Sequence, residues 1–183
     1  MSVFCTCEIF KDCFEYITKV GINLKVERKT IMENKIVSEI MGTFAYDELC
    51  KEYVQHEGKI HWSLDISDEG ADLNEMIRRA EKLFVCIEDF DKRAKVSIAE
   101  ELIDYKNDVY HDYDEDDENL DWDAVDAGEY DITKEEFEEV IILYDVVISA
   151  NGIYCEYYDG DLFGGHRIHS YFDSDYKFLS ADV

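Results

Sequence analysis

The sequence predicts an α+β fold: an antiparallel sheet, made of a C-terminal meander plus N-terminal strands, packed against two or three helices. Three observations lead there. Ile60, Trp62, Leu64 and Ile66 alternate with His61, Ser63 and Asp65, the period of a half-buried strand. Leu73, Met76, Ile77, Ala80, Leu83, Phe84 and Ile87 recur at spacings of three and four, the stripe of an amphipathic helix. Beyond residue 140, alternating segments are parted by Asn151-Gly152, by a Gly-rich stretch and by Asp173-Ser174-Asp175, so strands follow one another through tight connections.

The first element region, residues 1–36, reads as an N-terminal extension packed on the body. Phe10, Phe14 and Ile17 have helical spacing, and Ile22-Asn23-Leu24-Lys25-Val26 alternates like a strand. Residues 37–183 read as a single α+β domain with an acidic loop at 112–131. Ile40, Gly42, Phe44 and Tyr46 line one face of a strand, and Glu57-Gly58-Lys59 makes a turn before the strand at 60–66. Asp72 is placed to cap the helix that follows. A second helix is predicted near 92–110, with Ile98, Ala99, Leu102, Ile103 and Val109 on its apolar side and Asp89-Phe90-Asp91 as the joint.

Residues 112–131 hold 11 acids and no base. Self-repulsion and scarce apolar residues predict a solvated loop, disordered at its centre, that Trp122 and Val125 tack onto the body. A helix start follows. Thr133 caps, Glu136 three residues later completes a capping box, and Ile132 and Phe137 sit where a hydrophobic staple clamps the first turn. Phe137, Val140 and Ile141 face inward. Tyr144, Val146 and Ile148 share one face of the next strand. Asn151-Gly152 predicts a hairpin turn with positive φ at both positions. Ile153, Cys155 and Tyr157 return, and strands near 166–172 and 177–179 finish the meander.

Composition narrows function. The 183 residues suit one domain, and the net charge is −27. Residues 1–111 carry 23 acids and 15 bases, whereas residues 112–183 carry 22 acids and 3 bases. Such a chain repels nucleic acid and anionic membranes and attracts a basic protein. Its six cysteines form no regular framework, and the N-terminus lacks a charged segment followed by a long apolar core, so a reduced, cytoplasmic setting is expected. There is no proline.

The densest group of unusual residues is Asp159-Gly160-Asp161-Leu162-Phe163-Gly164-Gly165-His166. One reading is a site of a hydrolase or metal-dependent enzyme, in which Asp161 and His166 either pair as acid and base or bind a metal together with Asp159 and Glu156. The other is a hairpin connection in which Gly160, Gly164 and Gly165 supply special backbone angles, Asp159 and Asp161 make Asx turns, and His166 ties the loop through a ring nitrogen. Asp112, Asp114 and Asp116 fall at positions 1, 3 and 5 of a calcium loop, but Asp117 stands where Gly is needed and Asp123 where a bidentate Glu is needed. Cys5, Cys7, Cys13 and Cys50 match no zinc spacing. No P-loop, dinucleotide fingerprint or nucleophile elbow is present, and no metal or cofactor is expected. Trp62, Tyr144, Tyr154, Tyr157, Tyr158 and Phe163 serve either as packing or as an aromatic interface beside acids.

The order from Ile132-Thr133-Lys134-Glu135-Glu136-Phe137, through the Tyr-rich hairpin and Asp159 to Ile168, to Ala181-Asp182-Val183 resembles the C-terminal signature of a bacterial family catalogued as domain of unknown function 2262. The Gly42-Thr43-Phe44 segment and the strand at 60–66 followed by two helices also fit, so the resemblance spans roughly residues 37–183. It implies an α+β fold and assigns no reaction. Small acidic bacterial proteins of this kind are similar to immunity proteins that neutralise toxins. The expected function is therefore a non-enzymatic acidic protein-binding domain that masks a basic toxin, with Asp114, Asp116, Asp117 and Trp122 as contact residues.

Overall fold

The computed structural model describes residues 34–55, 58–68 and 70–183. The expected helix at Phe10–Ile17 positions and the strand around Leu24 lie outside the described residues.

Among the described residues, eight strands form one sheet in sequence order. They are β1 (Lys35–Ser38), β2 (Gly42–Asp47), β3 (Glu52–Gln55), β4 (His61–Asp65), β5 (Ile142–Ile148), β6 (Gly152–Tyr158), β7 (Arg167–Asp173) and β8 (Phe178–Asp182). Neighbours pair antiparallel except β4 and β5, which run parallel. A parallel pair needs a long crossover, and here that crossover carries the helices. They are α1 (Leu73–Val85), α2 (Ile87–Val109), α3 (Trp122–Asp126) and α4 (Lys134–Val140). The sheet is thus the expected layer of an α+β fold, two N-terminal hairpins fused edge to edge with the meander.

One face of the sheet packs against the helices. Phe44, Trp62, Leu64, Val146, Ile148, Cys155, Tyr157 and Ile168 meet Met76, Ile77, Leu83, Ile98, Ala99 and Phe137 in one core. Asp72 caps α1 by accepting from the amides of Asn74 and Glu75. The predicted capping box of α4 is present: Glu136 N donates to Thr133 Oγ1 at 3.2 Å, and Thr133 N donates back to Glu136 Oε2 at 2.9 Å. Ile132 packs partly buried against the core, and Phe137 is fully buried.

Several local expectations change. The segment around Gly42 is two strands, not one, and Ile40 lies in the turn between them, where Ser38 Oγ accepts from the amides of Ile40 and Met41. The joint between α1 and α2 falls at Cys86 rather than Asp89-Phe90-Asp91. Glu88 and Asp89 sit in the first turn of α2, where acids favour a helix start, and Phe90 is buried against Phe172 at 4.8 Å between ring centroids. Val109 and Val140 are exposed instead of core-facing. A bulge between Leu143 and Asp145 shifts the phase of β5, so Leu143, Val146 and Ile148 face the core and Tyr144 turns to the other side. Asn151-Gly152 does join β5 to β6, but neither residue has positive φ. Ser149 closes the turn instead: its N–H and its hydroxyl both donate to Gly152 O, at 3.0 and 3.1 Å. Gly152 is needed for space, because a Cβ there would stand 2.5 Å from Phe172 O on the neighbouring strand.

Candidate functional site

The loop at 159–166 is the connection between β6 and β7, and its organising residue is Asp159. Asp159 is 5% exposed. Its Oδ2 accepts from Phe163 N at 2.9 Å and Gly165 N at 3.0 Å, and its Oδ1 from Asp161 N at 3.2 Å. Three backbone donors converging on one carboxylate fix the loop as a nest around it. Gly160, at φ 63°, lies against α4, where a Cβ would meet Val140 O at 2.9 Å. Phe163 is fully buried, with its ring against Tyr105, Tyr110 and Phe137. Asp161 and His166 are exposed at the rim, and no hydrogen bond or ion pair joins their side chains. His166 closes the loop through its backbone N–H, which donates to Phe163 O at 3.4 Å, so the tying role expected of its ring belongs to Asp159.

The acidic segment at 112–131 is a succession of turns rather than a structureless centre. Asp114 Oδ1 accepts from Asp116 N, Asp117 Oδ1 from Asn119 N, and Asp121 Oδ1 from Asp123 N and Ala124 N to start α3. Both ends are pinned to α2. Lys106, 1% exposed, donates through Nζ to Tyr110 O and lies 3.3 Å from Asp112 Oδ1. Asn107 brackets the other end, accepting from Ile132 N at 3.1 Å and donating to Ile132 O at 3.2 Å. His111 stacks on Tyr113 at 3.9 Å, and Tyr113 contacts Tyr130. Trp122 is not the tack expected from the sequence: it is 54% exposed, and α3 buries none of its residues.

A third cluster was missed in the sequence. The sheet face away from the helices carries a row of ionisable residues in register across five strands: His61 opposite Asp145, Asp145 opposite Glu156, Glu156 opposite His169, and His169 opposite Asp182. Tyr154 O–H donates to Glu156 Oε2 at 3.2 Å, and His169 Nδ1 lies 2.5 Å from the same hydroxyl. The Tyr154 hydroxyl thus links the Glu156 carboxylate to the His169 imidazole. Arg167 Nε closes it from the other side, 3.1 Å from Glu156 Oε1. The Arg167 guanidinium lies over Tyr158, 3.5 Å from the ring centroid, and 5.1 Å from Tyr144. Tyr144 also packs on His61 at 4.7 Å, which is possible only because the bulge turned it outward. Burial raises the Asp145 carboxyl above its usual range; a hydrogen bond from the Val146 backbone opposes this, and the Glu156 charge adds to it. Burial, then the Glu156 charge, raises the Tyr154 phenol.

The aromatic residues therefore divide between both roles read from the sequence. Trp62, Tyr157 and Phe163 are core, whereas Tyr144, Tyr154 and Tyr158 stand on the sheet face away from the helices. The signal for that face was the polar half of the alternation in β5 to β7. Its register across strands depends on the bulge and was not readable.

A cleft of about 430 Å³ lies elsewhere, between the start of α1 and the β5–β6 turn, lined by Asp68, Asp72, Glu75, Arg79 and Asn151. Arg79 Nη1 donates to Ser149 O at 2.9 Å, and Asn151 Nδ2 donates to Asp68 Oδ2 at 3.3 Å. Among the described residues, no three His, Cys, Asp or Glu side chains are grouped so as to hold a metal ion. No described helix is long and apolar enough to cross a membrane. Of the described cysteines, Cys50 is exposed, Cys86 half-buried and Cys155 buried.

These features define an α+β protein with one sheet face covered by the helices and an opposite face that no described helix covers, a carboxylate-centred hairpin loop and an ordered acidic segment. The chain belongs to the family described as uncharacterized protein conserved in bacteria (DUF2262), whose model matches residues 38–183. That match takes in the whole sheet from the end of β1 onward, all four described helices, the acidic segment and the 159–166 loop. No curated protein and no solved structure matches the chain.

Proposed function

We propose that this chain is a non-enzymatic protein-binding domain that masks a basic protein, in the manner of an immunity protein. The observation that carries the reading is the ordered acidic segment. It presents 11 acids and no base over residues 112–131. Asp114, Asp117 and Asp121 each spend one oxygen on their own turn, and their second oxygens have no partner among the described residues. A charge array already ordered in the free protein loses little conformational entropy on association. Trp122, 54% exposed amid these acids, supplies the rigid aromatic anchor that interface centres favour. The net charge of −27 steers a basic partner from a distance and raises the association rate.

The test is co-purification of the tagged chain from its native host at low and high salt, beside a variant carrying Asp114→Asn, Asp116→Asn and Asp117→Asn. A basic partner retained at low salt, released at high salt and retained less by the variant is the expected result. A partner held equally tightly at both salt concentrations, or the absence of any basic partner, sinks the proposal.

A further inference from the structure

We propose that the β5–β8 part of the sheet face away from the helices is an arginine-recognition surface for a segment of the basic partner. The proposal rests on the reading that the partner is basic, and it assigns contact to β5–β8 in addition to the acidic segment.

The chain itself displays the chemistry. Arg167 is held by a tyrosine face at 3.5 Å, a second tyrosine at 5.1 Å and a carboxylate at 3.1 Å. Each component suits a guanidinium: the ring quadrupole attracts the planar cation, and the carboxylate accepts its fixed donors. Carboxylates and tyrosines recur along the row, with the imidazole of His61 opposite Asp145 and that of His169 opposite Asp182. Among the described residues, neither Asp145 nor Asp182 pairs with a lysine or arginine. Tyr171 is 39% exposed and lies 5.6 Å from Tyr154. Asp145 is half-buried and faces the like charge of Glu156. An incoming guanidinium relieves that repulsion, and Arg167 alone cannot, because its one charge already serves Glu156. The face is thus anionic and aromatic, with one arginine subsite filled from within and carboxylates and rings left over beside it.

Arginine should be preferred to lysine. Both neutralise the carboxylates, but only the guanidinium is planar, stacks flat on tyrosine and engages a carboxylate through two donors. Stacking of this kind is worth about one tenfold step in affinity.

The experiment is titration of the isotope-labelled full chain with an oligoarginine and an oligolysine peptide of equal length, followed by amide chemical shifts. The expected result is a response on β5 to β8, centred on Tyr144, Tyr154 and Tyr171, with oligoarginine bound roughly tenfold more tightly than oligolysine. Tyr171→Leu, which keeps an apolar side chain but removes the ring, and the isosteric Asp145→Asn should remove the preference. The Asp114→Asn, Asp116→Asn, Asp117→Asn variant should keep it. Equal binding of both peptides with shifts confined to 112–131 overturns this assignment and leaves the basic-partner reading standing. No response to either peptide overturns both.

Discussion

Replacing Asp159 by Ala removes the acceptor on which the 159–166 loop closes. Its carboxylate accepts from the amides of Asp161, Phe163 and Gly165, and the side chain is 5% exposed. Hydrogen bonds to a charged group contribute about 1.5–3 kcal/mol each, and a buried donor left unpaired costs about 1–3 kcal/mol. The three do not add fully, because Gly165 N and Asp161 N lie near solvent and water can replace their partner. Phe163 N is buried, and the ring it positions packs on α2 and α4, so that bond is lost outright. The expected loss is about 3–4 kcal/mol, read as a lower urea midpoint at unchanged slope. In a thermal scan it corresponds to a fall of roughly 6–16 °C, at about 2–4 °C per kcal/mol for a chain of this size. His166→Ala, at an exposed position with no side-chain hydrogen bond, should stay within about 0.5 kcal/mol of the parent. A loss below about 1 kcal/mol for Asp159→Ala, or a greater loss for His166→Ala, refutes the reasoning.

Two further perturbations follow from the same structure. Asp145→Asn should raise stability at neutral pH: burial lifts the folded-state carboxyl above its ordinary value, so the parent loses stability as pH rises through that folded value. The advantage of the variant should shrink as pH falls and vanish below 3.8, where both states are protonated; an advantage that is flat between pH 3 and pH 7, by denaturant unfolding at each pH, contradicts this. Gly152→Ala should cost about 1–3 kcal/mol through overpacking, since its Cβ meets Phe172 O at 2.5 Å although φ there is unrestrictive. An unchanged urea midpoint would show that β7 yields at no cost.

Much of the fold was legible in the sequence. The capping box of α4 lies within residues 133–136, so both partners are set by local geometry alone. The alternation of Ile153, Cys155 and Tyr157 gave the buried face of β6 because period two is intrinsic to a strand, whereas in β4 Ser63 is buried together with Trp62 and Leu64. The candidate loop was placed correctly between two strands, but its keystone was misread. Asp159 and His166 are equally plausible ties in sequence, and only the fold shows which one is buried. The expected apolar roles of Val109, Val140 and Trp122 failed at helix ends and on a short helix, where the stripe runs past the edge of the core.

The sequence by itself determined the charge imbalance, the helix starts, the strand alternation and the family signature. These depend on residues a few positions apart, whose interactions the backbone fixes without help. Only the tertiary structure decided that His61, Asp145, Glu156, His169 and Asp182 stand in one row, drawn from five strands and from both sides of the helical crossover. That row required the parallel docking of β4 on β5 across the helical crossover, and the bulge at Tyr144 to set the phase. A one-residue change of register would send each side chain of a strand to the opposite face, so long-range packing and not local pattern chooses which polar groups meet.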